Sequence, residues 1–157
     1  GFTTTDTLLL VFLVNITAAL GAFGFGYLQD RIGHKRALGT TLVVWVLMIG
    51  CAAFATTRPL FWLAANLAGL AMGSSQSAGR AMVALLSPES RSAEFFSFWN
   101  MSLWVAAIVG PLAYGSVTWI TGNDHRLAIL VTGVFFLLSI AALIPIDLER
   151  GRSAAGR

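Results

Sequence analysis

The chain has 157 residues, is 57% hydrophobic, and carries only 10 Lys plus Arg and 7 Asp plus Glu. A soluble domain carries about 25% charged residues, so this chain lacks the charges to cover a water-facing surface, and it is too apolar to be intrinsically disordered. Its net charge of +3 is not a nucleic-acid footprint, because the basic residues are strung between apolar blocks rather than gathered in one patch.

Five blocks are long enough to cross about 30 Å of hydrocarbon, which takes about 20 helical residues. They cover 7–28, 37–57, 60–86 (with Leu60 to Gly79 the most apolar part), 95–120 and 127–146. They are continuously apolar rather than alternating, which predicts helices and not barrel strands. The fold class is therefore all-α: a polytopic transmembrane helix bundle of five spans, with the lipid bilayer as its solvent. The chain opens on Gly rather than Met, and its first block lacks a basic leader and is too long for a signal-peptide core. We expect it to be part of a longer polypeptide.

In the first span Ala18, Ala22 and Gly26 recur every fourth position, a pattern that permits close helix approach. The stretch from Gln29 to Arg36 is expected to be a loop, with Gly26 allowing close packing at the membrane edge and Gly33 a tight turn. Asp30 ends its own helix, where the dipole disfavours an acid, so it needs a partner such as Arg31, Arg36 or a neighbouring helix N-terminus. The second span carries Cys51, the only cysteine, which rules out an internal disulfide and a cysteine-rich metal site.

Along the third span Ala65, Gly69, Gly73, Ser77 and Ala81 line one face. They serve either bundle packing or substrate passage. Arg80 sits near the end of this span, within reach of snorkelling, and a pair with Glu94 at the start of the next helix is expected. Between them Ser87-Pro88-Glu89 offers a cap, a proline at the first helical position and an acid in the first turn, which predicts a short interfacial helix.

In the fourth span Gly110-Pro111, with Gly115 beyond, is expected to interrupt and bend the helix, as a static kink or as part of a gate. Asn15, Asn66, Gln76 and Asn100 are polar groups inside spans, able to satisfy themselves by interhelical hydrogen bonds or to contact a substrate. Trp62 and Trp119 suit the aromatic belt, while Trp45, Trp99 and Trp104 face lipid or partners. His34 and His125 fall in connections, without a catalytic role. No motif for catalysis, phosphate binding or metal ligation is present, so neither an enzyme nor a cofactor is expected. No span carries an acid suited to a proton relay, and proton or ion coupling cannot be read from these residues.

Placing the first connection in the cytoplasm puts Arg31, Lys35, Arg36, Arg80, Arg91, Arg150, Arg152 and Arg157 inside and leaves Arg58 and Arg126 outside. The positive-inside rule then predicts an external N-terminus and a cytoplasmic C-terminus, in the plasma (inner) membrane.

The run Gly26, Asp30, Arg31, Gly33, Lys35, Arg36 resembles the signature loop of the major facilitator superfamily of secondary transporters. A narrower resemblance, to the vacuole amino-acid effluxer-like branch, covers roughly the last 85 residues. It rests on Ser74-Ser75-Gln76-Ser77 with Arg80 and Ala81, Ser87-Pro88-Glu89, Ala93-Glu94-Phe95-Phe96, Gly110-Pro111 with Gly115, and Arg126-Leu127-Ala128-Ile129. A lysine expected in the fourth span is missing, since Asn100 to Val105 is uncharged.

The resemblance implies helices eight to twelve of a twelve-helix fold, with an N-terminal half of the same protein as partner. It also implies transport of a small solute, such as an amino acid in efflux, by alternating access, with the signature loop as a gate. Read from chemistry alone, that loop is a positive-inside anchor with a tight turn, and it is the resemblance that makes it a gate. The competing functions are a non-transporting membrane scaffold or sensor, and a five-helix unit that works as an oligomer.

Overall fold

The computed structural model describes residues 2–156. The described residues form helices and contain no strand. In chain order they are α1 (Thr4–Ile32), α2 (His34–Ala53), α3 (Arg58–Leu86), a single 3-10 turn (Glu89–Arg91), α4 (Ser92–Ile120), α5 (His125–Leu143) and a short α6 (Leu148–Ala154). The chain divides into two compact units, Gly1–Ala78 and Gly79–Arg157.

Local chemistry marks several of the helix ends. Thr3 caps α1 in a reciprocal box, its side chain accepting from the Asp6 backbone N–H while the Asp6 carboxylate accepts from the Thr3 N–H. Thr57 Oγ1 accepts from the Leu60 N–H at the start of α3, and Pro59 falls in the first turn, where its missing N–H is not needed. Asp124 and Asp147 cap α5 and α6 with two backbone bonds each. The fifth apolar block is helical only to Leu143, because Pro145 has no N–H to continue the ladder.

Three sequence expectations change here. The stretch 29–36 is not a loop: α1 continues to Ile32 and α2 starts at His34, so Gly33 alone, at φ 87°, makes the break. One residue in a conformation that glycine adopts freely is enough to end a helix. Helix α4 runs unbroken through Gly110-Pro111, because proline inside a membrane helix removes one ladder bond without terminating the rest. Pro88 precedes the 3-10 turn instead of occupying its first position, and Ser87 Oγ bonds back to the Val83 carbonyl rather than forward as a cap.

Helices α1, α2, the Glu89–Ile120 stretch and α5 are long and apolar enough to cross a membrane. With 29 residues α3 is long enough, yet it falls short on apolarity, because Asn66, Gly69, Gly73 and the run Ser74 to Ser77 dilute it. The expected five spans are thus four strongly apolar helices and one, α3, that is less apolar.

In the first unit α1 packs against α3 through glycines. A β-carbon added at Gly21 would overlap the Leu70 carbonyl, one at Gly69 the Val14 carbonyl and the Thr17 hydroxyl, and one at Gly73 the Ala18 carbonyl. Of the stripe expected at Ala18, Ala22 and Gly26, Ala18 lies at the contact, its carbonyl against Gly73. Gly21 makes the close approach, whereas Gly26 has open space around its α-carbon.

Small residues dominate the buried set: Ala37, Ala53, Ala64, Ala71 and Ala78 are buried, while large side chains such as Leu20, Phe23 and Leu47 point outward. This is the packing expected where lipid, not water, surrounds the protein. In the second unit α4 packs along α5, where Ala128 and Gly133 are buried. The Trp99 ring lies over Gly79, and Gly151 of α6 rests on Leu86.

Backbone-level contact at Gly73 leads to a prediction. Gly73→Val should destabilise the protein by about 1–3 kcal/mol through overpacking, whereas Gly24→Ala, in open space, should be neutral or stabilising. Thermal unfolding in detergent measures both, and equal behaviour of the two variants would contradict the packing.

Candidate functional site

The charged corner places Asp30 and Arg31 in the last turn of α1 and Lys35 and Arg36 in the first turn of α2, on either side of Gly33. Its electrostatics are strained. An acid at a helix C-terminus and cations at a helix N-terminus both oppose the macrodipole, and only Arg31 is favourably placed.

Asp30 is exposed and forms no ion pair among the described residues, so neither Arg31 nor Arg36 serves as its expected partner. Those two side chains are themselves exposed, while Lys35 is half-buried. Beside the corner a groove of ≈ 300 Å³ is lined by Ala22, Phe23, Gly26, Tyr27, Gln29 and Asp30. The Gln29 Oε1 atom is shielded from solvent and finds no hydrogen-bond partner.

The second cluster is the polar stretch of α3. Ser74 is fully buried and bonds the Ala71 carbonyl at 3.1 Å. Ser75 Oγ accepts a hydrogen bond from Trp45 Nε1 at 2.9 Å, which ties α2 to α3. Gln76 Oε1 is buried without a partner. A buried amide oxygen in that state costs roughly 1–3 kcal/mol, so it is a group awaiting a donor.

The asparagines behave otherwise. Asn15 and Asn66 each donate Nδ2 to the carbonyl four residues back, Val11 and Trp62, both at 2.8 Å. They reach neither another helix nor a neighbouring polar side chain, because the preceding turn of their own helix is nearer. Asn66 also borders an apolar groove of ≈ 180 Å³ with Thr17, Leu20 and Leu63. Asn100 is exposed on α4, beside Leu103, Trp104 and Ala107.

The expected pair of Arg80 with Glu94 does not form. Glu94 takes Arg91, one turn back, at 2.6 Å to Nη2 and 3.0 Å to Nε, while Arg80 is exposed. A partner at i−3 costs less chain ordering than one on another helix. On α4, Gly110 and Gly115 have open space around them.

Sequence reasoning missed two further contacts. Tyr114 Oη lies 2.9 Å from His125 Nδ1, with the rings stacked, so His125 joins α4 to α5 as the first residue of its helix. Asp6 lies 3.7 Å from Arg58 across the starts of α1 and α3. The spacing of Trp45 at mid-span, away from the belt, was the one available signal for its bond to Ser75. Among the described residues no group of His, Cys, Asp or Glu could hold a metal.

Four helices long and apolar enough to cross a membrane define a polytopic integral membrane protein. The sequence profile of the family described as vacuole effluxer Atg22 like matches residues 1–156, and the chain belongs to that family.

Among curated proteins it is 28% identical over 143 residues to the uncharacterized MFS-type transporter YxiO of Bacillus subtilis (strain 168), covering 91% of this chain and 33% of that one. It is 30% identical over 149 residues to the niacin transporter NiaP of Acinetobacter baylyi, covering 87% and 32%. It is 27% identical over 149 residues to autophagy-related protein 22 of Yarrowia lipolytica, covering 93% and 21%. The chain thus spans about a third or less of the length of these relatives. No solved structure matches it.

The Trp45–Ser75 bond is directly testable. Trp45→Phe should cost about 1 kcal/mol by removing the donor, while Trp104→Phe on the exposed face of α4 should change nothing in thermal unfolding.

Proposed function

We propose that the chain is the C-terminal portion of a secondary transporter that moves a small solute by alternating access, as part of a longer polypeptide in the plasma (inner) membrane. One observation carries this reading: α3, less apolar than the other long helices, is held against α1 and α2 and carries a buried Gln76 acceptor that no group among the described residues satisfies. A helix that only anchored the protein in lipid would have no reason to carry Ser74 to Ser77 and an unsatisfied amide.

Gln76 offers its carbonyl to an N–H or O–H of the solute, and Ser75 is positioned beside it by Trp45. Asn66 contributes less, its amide being bonded to its own helix. The names of the relatives include niacin transporters, a monovalent cation/proton antiporter and vacuole effluxers, and a small polar solute such as an amino acid could meet the Gln76 carbonyl.

The corner formed by Gly26, Asp30, Arg31, Gly33, Lys35 and Arg36 acts as the gate. Its charges oppose the dipoles of their own helices, so a partner that Asp30 meets in one conformation only would stabilise that conformation. A differential energy on the order of 1–3 kcal/mol is enough to bias the cycle. Gly110, Pro111 and Gly115, with open space around the glycines, allow α4 to bend. The distribution of the basic residues favours an external N-terminus and a cytoplasmic C-terminus.

Uptake by the full polypeptide in proteoliposomes, with labelled amino acids and niacin as separate probes, tests this reading. Gln76→Leu should weaken solute binding about three- to tenfold, the worth of one hydrogen bond, and Gln76→Asn less. Asp30→Ala should lower the maximal rate while leaving binding unchanged. Equal loss of rate and binding in Asp30→Ala would remove the gate, and an absence of uptake for every solute would remove the transporter.

A further inference from the structure

The indole of Trp99 combines a fitted ring with an unused donor. Trp99 lies about two turns into α4, and the atoms it presents to Gly79 of α3 are Cη2, Cζ2 and Cζ3, the outer edge of its six-membered ring. A β-carbon at position 79 would overlap that edge, so the ring sits where only glycine leaves room. Nε1 belongs to the five-membered ring and takes no part in this contact. It is shielded from solvent and has no hydrogen-bond partner.

The neighbouring hydroxyls of α4 do not accept from it. Ser97 and Ser102 each donate to a carbonyl of their own helix, those of Ala93 and Phe98. Other tryptophans differ: Trp45 gives its N–H to Ser75, while Trp104 and Trp119 are exposed. An indole N–H is a donor only, so an acceptor must come to it, and a buried donor left without one is costly. A carboxylate oxygen is the strongest acceptor available, since a charge-assisted hydrogen bond is roughly twice as strong as a neutral one. Of the nearby cations, Arg91 is held by Glu94 and Arg80 is exposed.

We propose that Trp99 Nε1 is a specificity-determining donor to a carboxylate oxygen of the transported solute, reached when the indole turns off Gly79. The ring rests on a bare α-carbon, which seats it without interlocking it. In the conformation described the N–H is occluded, and rotation about the two side-chain torsions brings it out. The bond then gained favours the solute-bound arrangement. This inference rests on the transport reading for the presence of a solute, and it narrows that solute to one bearing a carboxylate.

The test removes the donor while keeping the ring. In the full polypeptide Trp99 is replaced by 3-benzothienylalanine, which exchanges the N–H for sulfur at nearly constant shape. Titration calorimetry in detergent then compares niacin with nicotinamide, and leucine with leucinamide. Binding of the carboxylate member should weaken about ten- to a hundredfold and that of the amide about three- to tenfold, so that the preference for the acid narrows. Equal losses for acid and amide, or no binding of either carboxylate by the unmodified protein, would overturn the inference.

Thermal unfolding without solute supplies a second readout. Removing an orphan donor should leave the melting temperature unchanged or raise it. A clear fall would mean that the N–H is already bonded in the full polypeptide, which would also overturn the inference. Carboxylate binding that depends on the donor, without uptake in proteoliposomes, would sink the transport reading and leave the donor assignment standing.

Discussion

Backbone contact between α1 and α3 is the constraint on which the first unit of this structure depends. In lipid there is no hydrophobic force to drive helices together, so close van der Waals approach and hydrogen bonds must do so. Gly21, Gly69 and Gly73 supply the approach, and the Trp45–Ser75 bond adds a polar tie from α2. Only because α3 is gripped in this way can it afford so many polar residues. A lipid-facing helix with Ser74, Ser75, Gln76 and Ser77 in succession would expose groups that hydrocarbon cannot solvate. The large apolar side chains go outward instead, and Leu8, Phe12, Leu20 and Phe23 of α1 are all exposed.

The same economy explains the two places where the chain is not at rest. At the Gly33 corner, Asp30, Lys35 and Arg36 stand at helix ends whose dipoles oppose them, and Asp30 is left without an ion pair among the described residues. At Gln76 a shielded carbonyl oxygen lacks a donor. Trp99 Nε1 is likewise buried without a partner among the described residues, whereas Asn15 and Asn66 are satisfied by the preceding turn and Glu94 by Arg91. Groups left unsatisfied beside satisfied ones are where a solute or a second conformation can contribute free energy.

Much of the architecture was legible because lipid imposes simple rules. Unbroken apolar length predicts a helix whatever its neighbours, and all five long helices stand where the apolar blocks place them. The corner was misread because charge density suggests a loop, while the backbone needs only one glycine at positive φ to turn. The spacing of small residues identified Ala18, Gly69 and Gly73 but not Gly21, since periodicity defines a face without saying which turn meets the neighbour. Pairings such as Arg91 with Glu94, Tyr114 with His125 and Asp6 with Arg58 depend on rotamers and helix rotation, which composition does not encode.

The central claim is that α3 is the polar, solute-facing helix of a transporter. Single cysteines at Gln76 and Ser77 in the full polypeptide, with Cys51→Ala, would be probed with a hydrophilic thiol reagent, and Ile108 and Leu112 of α4 would serve as lipid-facing comparisons. The account predicts labelling at 76 and 77 that slows when transported solute is present, with none at 108 and 112. Labelling confined to lipid-soluble reagents at all four positions, indifferent to solute, would contradict it.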